Sequence, residues 1–292
     1  MPLIAYLQNT PVAFYILACI FGLVVGSFLN VVIYRLPIML ERDWKQQCRI
    51  LLNLETADAD KSDEFNIVRP RSRCPHCGHQ ISAFENIPVF SYLALGGKCS
   101  ACKTTISMRY PIIEILAGLL ALFCAWHYGF GLQALLAILL SWALLTLSVI
   151  DIDHQLLPDD IILPLMWVGI LANMFGTFTD IYSSLFGVMA GYTVLWTVYI
   201  LFKIATGKEG MGHGDFKLLA MLGGWLGWQM LPLIILLSSL VGALAGLGLI
   251  FFKHHDRGKP IPFGPYLAVA GWIALLWGHS LTMAYYHWAV SP

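Results

Sequence analysis

Charged residues are scarce in this chain. Only 12% of its 292 residues are Asp, Glu, Lys or Arg, and the formal net charge is zero. Hydrophobic residues make up 58% of the chain, in long uncharged stretches that a soluble fold of this size does not need. The composition therefore predicts an integral membrane protein.

The apolar residues form about eight segments, each near the roughly 20 residues that a helix needs to cross the hydrocarbon core. The sequence therefore predicts an all-α polytopic integral membrane protein with about eight transmembrane helices. Gly223, Gly224 and Gly227 interrupt the sixth segment and permit a kinked or re-entrant helix there. The predicted segments are residues 11–34, 111–128, 132–150, 160–178, 182–203, 215–230, 231–252 and 264–287.

All Lys and Arg residues fall in every second connection between the predicted spans, and these connections lie on one side of the membrane. Eleven lie within residues 35–109, three within 203–217 and three within 253–259, which accounts for all 17 bases. The other connections and both termini carry none. By the positive-inside rule, the basic connections face the cytoplasm and the two termini lie on the opposite side.

The first predicted span is a retained helix, because no basic residue precedes it and its apolar run is too long for a signal peptide. Gly22 and Gly26 give this helix a face of small residues that lets another helix approach closely. Asn30 is a polar group that needs a partner inside a bundle. We expect all three residues to serve helix packing.

Four cysteines are spaced for one metal ion. They form two CxxC pairs separated by 21 residues, namely Cys74, Cys77, Cys99 and Cys102. Each pair can direct two thiolates at one ion, and four thiolates make a closed tetrahedral zinc site. Two disulfides are the alternative, but thiols stay reduced in the cytoplasm, which favours zinc. Because no coordination position stays open, we expect this zinc to be structural.

Two short polar runs stand where apolar segments end, DIDHQLLPDD at residues 151–160 and GMGHGD at residues 210–215. Two long apolar segments separate Asp151 from Asp215, so both aspartates are predicted at the cytoplasmic face. Two carboxyls that meet there can share a proton and activate a water, which is the minimum apparatus of an aspartyl protease. The alternatives are a solvated helix end for Asp151 and a helix cap for Asp215.

The residues around the two aspartates admit further interpretations. Alternating glycines ahead of Asp215 leave room for an extended peptide. His154 and His213 lie beside the aspartates and suggest a metal site as an alternative, although no HExxH-like spacing supports it. The glycines are Gly210, Gly212 and Gly214.

Two other acids have structural explanations. Asp159 follows a proline and precedes an apolar run, so we expect it to cap a helix. Glu114 lies just inside the second span, where an acid needs a partner. A base such as Arg109 or Lys217 is the expected partner of Glu114.

The GHGD at residues 212–215 resembles the GxGD signature of polytopic membrane aspartyl proteases. GxGD alone is a weak signal, but a wider set of segments resembles the type IV prepilin leader peptidase and N-methyltransferase family. This set follows the family's order over nearly the whole chain. The segments are GSFLNVVIYRLP at 26–37, both CxxC pairs, ENIPVFSYL at 85–93, RYPIIE at 109–114, DIDHQLLPD at 151–159, MGHGDFKLLAMLGGWLGW at 211–228 and PFGPYLA at 262–268.

This resemblance implies a bifunctional enzyme of the bacterial inner membrane. Members of the family cut the short basic leader from type IV prepilins or type II secretion pseudopilins, on the cytoplasmic side and after a glycine. They then methylate the newly exposed N-terminal residue with S-adenosylmethionine. The catalytic aspartates of the family map onto Asp151 and Asp215, and its zinc ligands map onto the four cysteines named above. The residues that bind the methyl donor are unknown at this point.

Three domains are predicted. Residues 1–34 form the first transmembrane helix, residues 35–110 a cytoplasmic tetracysteine zinc-binding domain, and residues 111–292 a polytopic membrane aspartyl protease domain. The expected partners are prepilins or pseudopilins and membrane lipid. Nucleic acid is not expected, because the 11 bases and 8 acids of residues 35–109 give a net charge too mild for strong phosphate binding.

Other functions remain as alternatives. The chain would be a leader peptidase without methyltransferase activity if the missing dinucleotide-type glycine loop and the small polar segment exclude a methyl-donor domain. A secondary transporter would also place acids near glycine-rich, broken helices, but here the charges cluster at one surface instead of the midplane. The chain could also be a membrane-anchored adaptor with a zinc module, but that function does not explain the GMGHGD run.

Overall fold

The computed structural model describes residues 2–53, 65–253 and 262–290. Over these residues the chain forms α-helices, 3-10 turns at Phe84–Asn86 and Trp228–Met230, and no β-strand. The helices are α1 (Pro2–Asn9), α2 (Pro11–Leu51), α3 (Phe90–Ala94), α4 (Arg109–Tyr128), α5 (Leu132–His154), α6 (Asp159–Asn173), α7 (Ile181–Thr206), α8 (His213–Leu226), α9 (Leu231–Lys253) and α10 (Gly264–Val290).

Each of the eight predicted apolar segments falls on a helix, which confirms the all-α polytopic fold class. Six helices among the described residues are long and apolar enough to cross a membrane. The helices α6 and α8, with 15 and 14 residues, are shorter than the roughly 20 that a crossing needs. Helix α2 continues beyond the predicted end of its span at residue 34 through Leu51. The chain divides into two compact units, Met1–Trp142 and Ala143–Pro292.

In the first unit, α2 packs closely on α4 through its glycines. A Cβ atom on Gly22 would lie 2.7 Å from the carbonyl oxygen of Ala117, and one on Gly26 would lie 2.7 Å from the Cα of Glu114. Only glycine therefore permits the two backbones to approach this closely. Asn30 donates from Nδ2 to a backbone carbonyl of α4 at 3.2 Å. The packing roles predicted for the two glycines and for Asn30 are confirmed.

In the second unit, the short helix α8 is buried by its neighbours. An apolar helix without a polar face is stable when other helices surround it, and α8 packs against α6, α7 and α10. Trp225 donates from Nε1 to the carbonyl oxygen of Leu165 at 2.8 Å. Asn173 donates to the last carbonyls of α8, those of Gly224 and Trp225, each at 2.9 Å. Fully buried side chains of α8 include Phe216, Leu218, Leu219, Met221 and Leu222.

The connection that leads into α8 begins at a well-defined helix end. Helix α7 starts after Asp180, whose Oδ1 accepts a hydrogen bond from the backbone N–H of Ser183 at 2.9 Å. It ends at Gly207, whose φ of +70° is the left-handed conformation that glycine adopts without strain. Residues 207–212 then connect α7 to α8 and set the position of Asp215.

Candidate active site and four-cysteine centre

Asp151 lies in the last turn of α5 and is buried, with 6% of its surface exposed. A carboxylate at this end of a helix faces the negative end of the helix dipole. The N-terminus of α10 compensates for this, because the backbone N–H of Gly264 donates to Oδ2 of Asp151 at 3.1 Å. Asp153, two residues further along, is exposed.

Asp215 is the third residue of α8 and is also 6% exposed. Gly212 occupies the N-cap position, and a Cβ atom added to it would lie 3.7 Å from Oδ2 of Asp215. An acid in the first turn that reaches back to the N-cap stabilises a helix start. Since Gly212 is the N-cap residue, the N-cap role considered for Asp215 is wrong, and Asp215 lies in the first turn instead. Its carboxyl interacts electrostatically with that of Asp151.

Gly264, which bonds Asp151, and Gly214, which precedes Asp215, both lie against one apolar side chain, that of Leu157. A Cβ atom on Gly264 would lie 2.6 Å from Oδ2 of Asp151 and 3.3 Å from Cδ1 of Leu157. A Cβ atom on Gly214 would lie 2.7 Å from Cβ of Leu157. The glycines thus let α8 and α10 close around the same residue. The surroundings of Asp151 and Asp215 therefore meet at Leu157 in the second unit, and the catalytic role of the two aspartates stays a prediction.

The glycine-containing connection ahead of α8 is held by an ion pair. Lys203 donates to Oε1 of Glu209 at 2.8 Å, and the Tyr199 hydroxyl donates to the same oxygen at 3.3 Å. The hydrogen bond from Lys203 holds the pKa of Glu209 below its usual range. The His213 ring lies against the rings of Tyr199 and Phe216, with centroids 5.3 and 5.4 Å away. His213 is thus part of an aromatic cluster, and the group suited to a metal among the described residues is a different one, the four cysteines.

Two expectations about other acids are wrong. Pro158, with an extended backbone, occupies the N-cap position of α6, so Asp159 lies in the first turn instead. Its carboxylate binds Nζ of Lys217 at 2.6 and 2.8 Å. Glu114 accepts a hydrogen bond from the backbone N–H of Val89 at 2.8 Å, so its partner is a peptide group and not the expected base.

The four predicted cysteines come together in the first unit. Their sulfur atoms all lie within 4.8 Å of one another, and those of Cys74 and Cys102 are 3.8 Å apart. Four thiolates around zinc at about 2.3 Å would be separated by about 3.8 Å, so this donor set fits a tetrahedral ion. All four are free thiols, which removes the disulfide alternative. The hydroxyl and backbone of Thr104 lower the pKa of Cys102 to about 6.

The two CxxC pairs have the same local fold. In the first, Cys74 donates its N–H to the carbonyl oxygen of His79 at 2.8 Å, and Gly78 turns the chain with a φ of +71°. In the second, Cys99 donates to Thr104 at 2.9 Å, and Lys103 turns the chain with a φ of +59°. Each pair is therefore a tight knuckle that presents two thiols to the same point.

The fold defines a multi-pass membrane protein, with two buried, interacting carboxyls in one unit and a cluster of four thiols suited to a metal ion in the other. Residues 20–128 match the bacterial peptidase A24 N-terminal domain, and residues 138–247 match the type IV leader peptidase family. The chain therefore belongs to the type IV leader peptidase family.

Several curated relatives share nearly the full length of the chain. A prepilin leader peptidase/N-methyltransferase of Stutzerimonas stutzeri is 57% identical over 98% of both chains, and one of Pseudomonas aeruginosa is 56% identical over 99% of both. A Legionella pneumophila protein of the same name is 44% identical over 95% of this chain and 96% of its own. No solved structure matches this chain.

Sequence reasoning missed three contacts of the second unit. They are the Gly264 N–H bond to Asp151, the packing of Gly214 and Gly264 against Leu157, and the Lys217–Asp159 ion pair. Gly264 had one usable signal, because the GP dipeptide of PFGPYLA starts an apolar run and thereby marks a helix N-terminus with free N–H groups. The other two depend on tertiary contacts that no local pattern records.

Proposed function

We propose that this chain is an endopeptidase that removes the leader from type IV prepilins or type II secretion pseudopilins, after a glycine, and then methylates the new N-terminal residue. The observation that carries the proposal is the pair of buried, electrostatically interacting carboxyls of Asp151 and Asp215 beside the start of α10. The names of the relatives, prepilin leader peptidase/N-methyltransferase, support the substrate and both activities.

The peptidase mechanism uses Asp151 and Asp215 as one unit that holds a single proton. The charged carboxyl removes a proton from a water molecule, whose oxygen attacks the carbonyl carbon of the scissile peptide. The protonated carboxyl donates its proton to the carbonyl oxygen as the tetrahedral intermediate forms. The proton taken from water then passes to the leaving nitrogen as the C–N bond breaks. The Gly264 N–H donor keeps the Asp151 oxygen in place throughout.

The site lies at a membrane surface that we place on the cytoplasmic side of the bacterial inner membrane. The distribution of the 17 bases supports this orientation, and so does the basic Lys217 two residues after Asp215. A prepilin is anchored by its own apolar helix with its leader in the cytoplasm, so its scissile bond reaches the same surface. The expectation that all three alternating glycines ahead of Asp215 leave room for an extended chain is wrong, because an added Cβ on Gly210 would lie 2.7 Å from the Phe202 ring and one on Gly214 would lie 2.7 Å from Leu157.

Two further components belong to the proposal. The cysteines Cys74, Cys77, Cys99 and Cys102 would hold a structural zinc ion, which fits their sulfur separations. S-adenosylmethionine, as the methyl donor, would supply an electrophilic methyl group to the new N-terminal amine. The peptidase step at Asp151 and Asp215 needs neither group, so the two activities are separable.

Substitution of the carboxyls tests the peptidase. Purified Asp151→Asn and Asp215→Asn variants are each expected to leave a prepilin intact, because neither can form the shared-proton pair. The matched control is Asp153→Asn, which changes an exposed acid on the same helix end and is expected to cut normally. Cleavage is measured by mass spectrometry as loss of the leader, and normal cleavage by either of the first two variants would contradict the proposed pair.

The methyltransferase is tested separately with a pre-cleaved pilin peptide and labelled S-adenosylmethionine. The expected result is transfer of label to the peptide N-terminus by the wild-type protein and also by Asp151→Asn, because the transfer does not use the carboxyl pair. Absence of label in the wild-type reaction would leave a leader peptidase alone.

A further inference from the structure

The chain between the two knuckles carries an apolar surface that is exposed among the described residues of the first unit. This bridging segment, residues 84–94, comprises the 3-10 turn Phe84–Asn86 and helix α3. Its exposed apolar side chains recur every third residue. They are Phe84, Ile87, Phe90 and Leu93, with 83, 44, 67 and 68% of their surfaces exposed.

The composition of the segment differs from that of the rest of residues 35–110. Residues 86–97 contain no charged residue, and Glu85 and Lys98 bound this stretch. Phe90 lies in this stretch and Phe84 lies just before it, next to Glu85, and two large aromatic side chains exposed this close together in sequence form a patch that water solvates poorly. Such a patch marks a surface that contacts another apolar phase.

Two hydrogen bonds place the bridging segment beside the membrane-spanning parts of α2 and α4. The Ser27 hydroxyl of α2 donates to Oδ1 of Asn86 at 3.4 Å, and the backbone N–H of Val89 donates to Glu114 of α4 at 2.8 Å. At 1.5 Å per residue, Ser27 lies about 10 Å inside the predicted span end at residue 34, and Glu114 about 5 Å inside the span start at residue 111. The segment therefore lies beside the membrane-spanning parts of α2 and α4 and not beyond their ends.

The surface of the segment is continuous with surfaces that face lipid. On α2, the apolar side chains next to Ser27 are exposed, with 53% exposure for both Val24 and Phe28. On α4, Ile112 and Ile115 on either side of Glu114 are exposed as well. Helices that cross a bilayer direct such side chains into hydrocarbon, so the same phase reaches the bridging segment.

The backbone of the segment is suited to a depth with little water. The N–H groups of Ser91 and Leu93 bond to the carbonyl oxygens of Ile87 and Val89 at 3.1 and 3.0 Å. The N–H of Val89 bonds to Glu114, and Pro88 has no N–H to satisfy. Non-spanning backbone enters the bilayer interface only when its polar groups are paired in this way.

We propose that the bridging segment inserts into the bilayer interface, with Phe84, Ile87, Phe90 and Leu93 in contact with lipid. Apolar faces of interfacial segments are buried about 5–10 Å into the headgroup and acyl boundary, which matches the depth of Ser27 and Glu114. Since a knuckle lies at each end of the segment, the four-cysteine centre fixes both points at which the chain enters and leaves the membrane surface. The zinc-binding domain is thus a membrane-seated module and not a free cytoplasmic loop.

Photo-cross-linking in lipid nanodiscs tests this placement without reference to peptidase activity. The photoreactive residue p-benzoylphenylalanine replaces Phe84 or Phe90, both exposed side chains that tolerate a related ring. The matched control is the same replacement at Val68, which lies within residues 35–110, outside the bridging segment, and is 80% exposed. After irradiation, intact mass spectrometry detects any added phospholipid.

The expected result is a phospholipid adduct at positions 84 and 90 and none at position 68. Equal adduct formation at all three positions, or none at 84 and 90, would overturn the proposal. A covalent dimer formed from position 84 or 90 in place of the lipid adduct would also overturn it, because the apolar patch would then be an interface between two copies. Loss of prepilin cleavage by Asp151→Asn bears only on the proposed function and leaves this result unaffected.

Discussion

A Gly264→Ala substitution tests whether the first N–H of α10 positions the Asp151 carboxylate. The added Cβ would lie 2.6 Å from Oδ2 of Asp151 and 3.2 Å from its Cγ. To restore an ordinary contact of about 3.4 Å, the carboxylate and the start of α10 must separate by about 0.8 Å. The hydrogen bond, now 3.1 Å, would then exceed the distance at which it contributes.

The loss can be estimated from the type of bond. A hydrogen bond to a charged group contributes about 1.5–3 kcal/mol, and about 1.4 kcal/mol corresponds to a tenfold change in rate. If the bond acts only to hold Asp151 for the reaction, leader removal by Gly264→Ala should be slower by about 10- to 150-fold. The variant should remain folded, since the methyl group meets a side chain and not a backbone.

The assay is the initial rate of leader removal from a prepilin, followed by mass spectrometry, with thermal unfolding in detergent as the check on folding. Gly248→Ala is the matched control, because no atom lies within 4 Å of its added Cβ on α9. It should cut at the wild-type rate. A wild-type rate for Gly264→Ala would refute the positioning role, whereas a rate loss matched by a large fall in unfolding temperature would show a structural effect only.

Three further outcomes follow from the structure. Gly26→Ala should lower the free energy of unfolding by about 1–3 kcal/mol through overpacking against α4, while Gly131→Ala, which faces open space, should cause no loss. Cys99→Ser should lose the bound metal measured by plasma emission, whereas the exposed Cys48→Ser should keep it; retention by Cys99→Ser would contradict the four-thiol site. The pKa of Glu209 is lowered in the folded protein, so its ion pair with Lys203 is stabilising above the unfolded pKa. This stabilisation is lost as the pH falls through the folded pKa. Proteolytic cleavage within residues 207–212 should therefore increase on acidification. Glu209→Gln should remove this pH dependence.

The apolar runs predicted the helices well, but they could not distinguish a helix buried by other helices from a helix that faces lipid. Helix α8 is apolar over most of its length, and its Leu222 and Trp225 are fully buried by other helices. In sequence, burial by protein and burial by lipid demand the same side chains. Helix α8 has 14 residues, and this length follows from the tertiary contacts of the residues at its two ends.

Sequence reasoning correctly predicted those contacts that depend only on the type of residue and its spacing. Four thiols in two CxxC pairs have few uses, and the structure brings them together as expected. Asp159 and Glu114 show the limit of such reasoning. Asp159 binds Lys217, which is 58 residues away, and Glu114 binds a backbone N–H, which every residue type except proline offers. Partners of this kind follow from the fold and not from the local sequence.

The contact between Gly264 and Asp151 also imposes an order on the maturation of the proposed peptidase. A growing chain contains both aspartates once residue 215 has been added, but the amide that steadies the first of them arrives 49 residues later. Until α10 is inserted, the nascent protein carries two acidic side chains without the support that aligns them. Hydrolytic competence is thereby deferred to a late stage of biogenesis, after the other helices have entered the bilayer.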